Sequence, residues 1–153
     1  MKKLIIVIAL GLGLSHVHGQ QIKESEVPAA VKSSFAKAYP TATEVKWEKE
    51  NGSFEVSFDQ GKQDMSVVLD SKGTILEIEN EIGKSELPSA VQNTLAKDFA
   101  GYKILEVAKI LAKGVTTFEA EVEKGSEHFD LIFDAQGKLS KKIKKEKGKE
   151  DKD

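Results

Sequence analysis

Cysteine and arginine are both missing from this 153-residue chain. Without cysteine there is no disulfide framework, no thiol nucleophile and no thiolate metal site, so the apolar core alone must hold the fold. Without arginine the rigid fork that grips phosphates and carboxylates in pairs is gone, which weighs against nucleotide or nucleic-acid binding. Histidine is scarce as well. Two of the three, His16 and His18, fall in the N-terminal segment described next, which leaves His128. A lone histidine beside Glu127 at a strand start reads as a solvated side chain, and neither a Ser-His-Asp device nor a zinc site can be built on it.

Long apolar runs are confined to residues 4–14. Lys2-Lys3 precedes that run, and Val17-His18-Gly19 follows with residues suited to a cleavage site. Residues 1–19 therefore read as a secretory signal peptide, too short and too one-sidedly flanked for a membrane span. No cysteine follows for lipoprotein-type anchoring, so a periplasmic or secreted protein is expected, with no membrane insertion after cleavage. Removal of the segment leaves 21 lysines against 25 acidic residues. The remainder is mildly acidic, with no basic surplus to draw nucleic acid or anionic lipid.

What is present is a repetition. Glu26-Val27-Pro28-Ala29-Ala30-Val31 returns 60 positions later as Glu86-Leu87-Pro88-Ser89-Ala90-Val91, and Asp70-Ser71-Lys72-Gly73 returns as Asp134-Ala135-Gln136-Gly137, displaced by 64. After each first motif, Val27, Val31, Phe35 and Tyr39, then Leu87, Val91, Leu95 and Phe99, keep the spacing of one helical face. The spacing predicts helices over 28–39 and 88–99, each with proline in its first turn. Pro40 stops the first and Gly101 the second. Four such buried side chains contribute roughly 1.5–3 kcal/mol each.

The period then changes to two. Phe54, Val56 and Phe58, Met65, Val67 and Leu69, and in the second copy Phe118, Ala120 and Val122 with Phe129, Leu131 and Phe133, alternate with polar residues as half-buried strands do. Asn51-Gly52, Gln60-Gly61, Lys72-Gly73, Lys113-Gly114, Lys124-Gly125 and Gln136-Gly137 separate them as hairpin turns. The expected fold class is α+β: two tandem repeats over 26–82 and 83–143, each one helix on a four-stranded antiparallel meander. Strands are expected at 43–50, 53–59, 64–70, 74–81, 103–112, 116–123, 127–134 and 138–143. Joining the two sheets edge to edge would hide two exposed edges, which favours one continuous sheet. One position resists the match: at a displacement of 62, Trp47 falls on Lys109, so a bulge shifts one strand or one copy faces differently. Residues 144–153, rich in lysine and carboxylates, have nothing to bury and read as a disordered charged tail.

No catalytic, cofactor-binding or metal-binding residue emerges. Glu44, Glu48, Glu55, Glu77, Glu79, Glu119, Glu121 and Glu123 lie opposite the apolar alternation, the pattern of the solvent face of a one-sided sheet. The Asp59–Asp64 turn has too few oxygen ligands at the right offsets for a calcium loop, and a lysine in its middle. Val68 and Ile132 are equivalent positions that put apolar side chains where the alternation predicts solvent. They are the candidate partner contacts, joined by Trp47 if its strand is turned that way.

Taken in order, the Val27-Pro28-Ala29-Ala30-Val31 helix, the Val45-Lys46-Trp47-Glu48 and Gly52-Ser53-Phe54-Glu55-Val56 hairpin and Val68-Leu69-Asp70-Ser71-Lys72-Gly73 resemble the PepSY-like, β-lactamase-inhibitor-like family of small exported bacterial proteins. The likeness covers residues 26 to about 140 in two copies, the second lacking the Tyr-Pro pair and the tryptophan. It implies a helix packed on a four-stranded sheet per repeat and an association with protease or β-lactamase inhibition, with no inhibitory residues to carry over. The expected function is an exported, non-catalytic binding module acting on a protein or peptide, with inhibition of an envelope enzyme as its specific form. The alternative is a structural or interaction component of the cell envelope.

Overall fold

The computed structural model describes residues 20–145. The expected signal peptide and residues 146–153 of the expected tail lie outside them. The fold is α+β. Its two helices are α1 (Ala29–Ala38) and α2 (Ser89–Asp98). Its strands are β1 (Gln20–Ile22), β2 (Thr43–Glu50), β3 (Ser53–Gln60), β4 (Gln63–Leu69), β5 (Ile75–Glu81), β6 (Lys103–Ala112), β7 (Val115–Lys124), β8 (Glu127–Phe133) and β9 (Leu139–Lys144). They form an antiparallel sheet in sequence order. Among the described residues there are nine strands where the alternation predicts eight, because Gln20–Ile22, three residues with no alternation to mark them, pairs with Lys49–Trp47 of β2. Chain contacts divide the described residues into two compact units, those up to Gly61 with Ser66–Leu76, and Lys62–Met65 with those from Glu77 on.

The repeated Glu-Val/Leu-Pro motif now has a role for each residue. A short 3-10 turn, Glu24–Glu26 or Lys84–Glu86, precedes each helix. The Glu26 carboxylate accepts the Lys23 backbone N–H at 2.9 Å, and Glu86 accepts that of Gly83 at 2.6 Å, which closes the turn. Val27 and Leu87 are buried. Pro28 and Pro88 stand at the N-cap, where their carbonyls accept the N–H of Lys32 and Gln92. A proline there forfeits no helical hydrogen bond, since its nitrogen would have had no partner in the helix.

In the first unit, α1 buries Val31 and Phe35. The Phe35 ring meets Trp47 edge-on at 5.4 Å and Phe58 at 5.0 Å. Trp47 is therefore a core residue, 4% exposed. Trp47→Ala removes the largest side chain under α1 and is expected to cost about 3–5 kcal/mol. A denaturant titration reads it, and a loss below about 1 kcal/mol would contradict the packing role. In the second unit Leu87, Val91 and Leu95 pack on Val107, Phe118, Ala120, Val122, Phe129, Leu131 and Phe133.

The strand pairing resolves the mismatch at Trp47. Ile22 pairs with Trp47, and the N–H of Ile82 bonds the carbonyl of Val107, both residues displaced by 60. Across the hairpin Trp47 pairs with Val56 and Val107 with Ala120, where the partner is displaced by 64. The counterpart of Trp47 is thus Val107. The β6–β7 hairpin is longer by two residues in each arm, its strands ten residues long against eight in β2 and β3. Both repeats do carry a bulge, between Thr43 and Lys46 and between Ile104 and Glu106, so it sits at equivalent places and shifts neither copy against the other.

Candidate functional site

The core residues of β7 and β8 point toward α2, so the residues alternating with them belong to the opposite face of the sheet. There Glu106, Glu121 and Asp130 stand directly opposite one another on β6, β7 and β8. One pair along, Ala108, Glu119 and Ile132 form the next row. On β5, Glu79 lies opposite Ile110 and Glu81 opposite Ala108.

This face is not the solvent face that the alternation suggests. Glu77, Glu79, Glu119 and Asp130 are buried, each at most 5% exposed. His128 is not solvated either. Its Nε2 lies 2.6 Å from Glu121 Oε1, and the imidazole is largely covered. Regular structure also runs past the start of the expected tail: Lys144 closes β9, and Lys145 reaches back over the cluster. The Lys145 Nζ lies 3.2 Å from Glu121 Oε2 and 3.5 Å from Asp130 Oδ1. Its backbone N–H bonds the carbonyl of His128 at 2.8 Å.

Low dielectric and like charge disfavour ionisation of the acids here. Burial pushes Glu106 up to about 8, helped by the neighbouring Glu81 and Glu121 carboxylates. Burial raises Glu77 to about 7 against the pull of Lys141, and Asp130 to about 6 against that of Lys145. Glu119 is held well above the usual carboxylate range by burial and by Asp130. Glu81 is raised by burial and by its hydrogen bond with Asp64. Burial works against the Lys145 ammonium, but the Asp130 and Glu121 charges outweigh it and keep its pKa above the ordinary lysine value. The cluster therefore holds protons near neutrality, with one lysine inserted. Among the described residues no group of three or more histidines and carboxylates is arranged to hold a metal ion.

The first repeat serves as an internal comparison. By the displacements of 60 and 64, the counterparts of Glu106, Glu121 and Asp130 are Lys46, Ser57 and Ser66. Lys46 and Ser57 pair just after the bulge, as Glu106 and Glu121 do. The architecture thus accepts a lysine and two serines at these positions, and the acid row belongs to the second copy alone. Of the residues singled out from the sequence, Trp47 is removed from the outer face by its burial under α1. Val68 and Ile132 are both half-buried. Ile132 adjoins the acid row, directly opposite Glu119. A separate concavity of about 480 Å³ lies beside α2, with Lys84, Leu87, Leu95, Phe99 and Ile104 among the residues lining it.

A short helix laid on an antiparallel meander, duplicated in one chain, defines a tandem α+β module. The family model described as beta-lactamase-inhibitor-like, PepSY-like matches residues 15–77 and again 76–141, and the chain belongs to that family. No curated protein matches it. Among solved structures it is similar to a Bacteroides eggerthii protein provisionally described as periplasmic, at 19% identity and a TM-score of 0.72, over 77% of this chain and 88% of that one. It is also similar to a DUF2874 family protein from Bacteroides uniformis, at 22% identity and a TM-score of 0.70, over 76% and 88%. A BLIP-like protein from Bacteroides fragilis aligns at 24% identity and a TM-score of 0.64, over 80% and 90%.

Proposed function

We propose that this chain is an exported binding module that works in the periplasm or outside the cell by contact, through the sheet face turned away from α2. The observation that carries the reading is the unequal treatment of that face in the two repeats. Burying carboxylates side by side costs stability, and the first repeat folds with Lys46, Ser57 and Ser66 at the corresponding places. A cost that the architecture does not require points to recognition. The partner class is a protein or peptide, with Ile132 as an apolar contact beside the polar ones and Val68 as its equivalent in the first repeat. The periplasmic description of the Bacteroides eggerthii protein supports the location. The BLIP-like description of the Bacteroides fragilis protein favours inhibition of an envelope enzyme as the specific form of the activity.

The test is capture from an envelope extract by the tagged chain and by a Val68→Lys/Ile132→Lys variant. The variant is expected to retain the wild-type circular dichroism spectrum and less than about a tenth of the captured partner, since an apolar contact replaced by an ammonium loses its desolvated neighbours. Undiminished capture by the folded variant would remove both residues from the contact surface.

A further inference from the structure

The acid row also has the makings of a receptor for a particular chemical group. Glu106, Glu121 and Asp130 are in register on three neighbouring strands, and like groups directly opposite one another repel when ionised. Beside them Glu119 is 2% exposed, and its Oε1 has no hydrogen-bond partner. Its cross-strand neighbours, Ala108 and Ile132, have no side-chain donors to offer. A buried acceptor left in this state is costly unless something supplies a donor. Lys145 shows which kind of donor the row takes. Its ammonium contacts Glu121 and Asp130, while its backbone stays bonded to His128. The side chain can therefore leave by rotation alone, with β9 still paired.

We propose that the acid row is a receptor for one basic side chain of a protein or peptide partner, and that Lys145 fills it in cis until that side chain replaces it. The proposal rests on the binding-module reading and names the chemistry that reading leaves open. An incoming ammonium or guanidinium takes the two carboxylate contacts that Lys145 gives up, and offers its remaining N–H donors to Glu119. Charge-assisted bonds of this kind are the stronger class, and a guanidinium suits a pair of carboxylates best. Lys141, across from Ile132 on β9, His128, and Lys103, paired with Glu123 at 3.7 Å, are further basic groups on this face.

The experiment titrates the blocked tripeptide acetyl-Gly-Lys-Gly-amide, by calorimetry, into the full exported chain and into its Lys145→Met variant, which keeps the aliphatic stem but vacates the ammonium position. Binding to the variant is expected to be at least tenfold tighter than to the wild type. It should be lost when Glu106→Lys, Glu121→Ser and Asp130→Ser are added, which copies the first repeat. The same peptide with its lysine acetylated should not bind. Equal affinity for wild type and Lys145→Met, or binding of the acetylated peptide, would overturn the proposal. So would binding of 1,5-diaminopentane without binding of the peptide, which would make the row a small-amine site instead. Should Lys145→Met fail to fold, the ¹⁵Nζ resonance of Lys145 in the wild type is followed at saturating peptide. It is expected to move to the position of a solvent-exposed lysine, and a resonance that stays put refutes exchange. Failure here, with partner capture still lost in Val68→Lys/Ile132→Lys, leaves the binding module standing and removes only its basic ligand. Loss of both readings would appear as no specific partner captured by the wild-type chain itself.

Discussion

Gly137→Ala is expected to destabilise the protein by about 2–5 kcal/mol and to lower the midpoint of thermal unfolding by roughly 10 °C or more. Two costs add. Gly137 has φ of +80°, a conformation that disfavours any side chain. A Cβ there would also stand 2.5 Å from the carbonyl oxygen of Ala90 and 2.6 Å from its carbon. That neighbour is helix backbone, so relief requires the first turn of α2 to move. The approach is close because the Asp134–Gly137 turn docks on the helix. Asp134 Oδ1 accepts the N–H groups of Gln136 and Lys138, and the Gly137 carbonyl accepts the Thr94 hydroxyl at 2.8 Å. Gly125→Ala isolates the first cost, since Gly125 has φ of +60° but nothing within 4 Å of an added Cβ. It should lose only about 1–2 kcal/mol. Equal losses at the two positions would show that the docking of the turn on α2 contributes nothing.

Raising the pH from 6 to 8.5 is expected to cost about 2 kcal/mol of stability, seen as a fall of about 5–10 °C in the thermal midpoint. Glu106 and Glu77 titrate near 8 and 7 in the folded chain and Asp130 near 6. Unfolding returns them to the ordinary carboxylate range. Between those two ranges the native state binds more protons than the unfolded state, so stability falls as pH rises. The contribution is fully present below the unfolded values near 4 and gone above about 8. A single proton difference is worth about 1.4 kcal/mol per pH unit, and the partial exposure of Glu106 to water reduces that figure. The groups facing the cluster are Asp64 on β4, Glu77, Glu79 and Glu81 on β5, Glu119 and Glu121 on β7, His128 on β8, and Lys141 and Lys145 at the end of the chain. Glu106→Lys/Glu121→Ser/Asp130→Ser is expected to flatten the dependence to less than a third of the wild-type slope. A wild-type midpoint that is flat or rises over this interval would mean that the carboxylates are already ionised at pH 6.

Much of the frame was legible because it rests on local chemistry. Both helices, their proline starts and the hairpin glycines follow from periodicity and backbone preference, and Gly73 and Gly137 adopt the positive φ that the turns demand. Strand β1 escaped notice because three residues with one apolar member, Ile22, carry no period. Only its pairing with β2 makes it a strand. The burial of Glu119 and Asp130 was hidden for a related reason. Alternation tells which residues share a face, and what covers that face is decided by neighbours on other strands and by Lys145. A usable signal did exist. With the repeats aligned at 60 before the β6–β7 hairpin and 64 after it, Lys46, Ser57 and Ser66 fall on Glu106, Glu121 and Asp130. The intermediate displacement of 62 at the hairpin turn put Lys109 on Trp47 and obscured the exchange.

The longer arms of the β6–β7 hairpin show how such a module can change size. Side chains on a strand alternate, so parity is the quantity that has to be preserved. Two residues added to each arm return every later side chain to its former face. A single one would have turned Phe118 outward and Glu119 toward α2. Length in this family can therefore drift at hairpin tips only in even steps per arm, unless a bulge absorbs the odd residue. The outer face is then free to take on new chemistry while the helix-side core keeps its register.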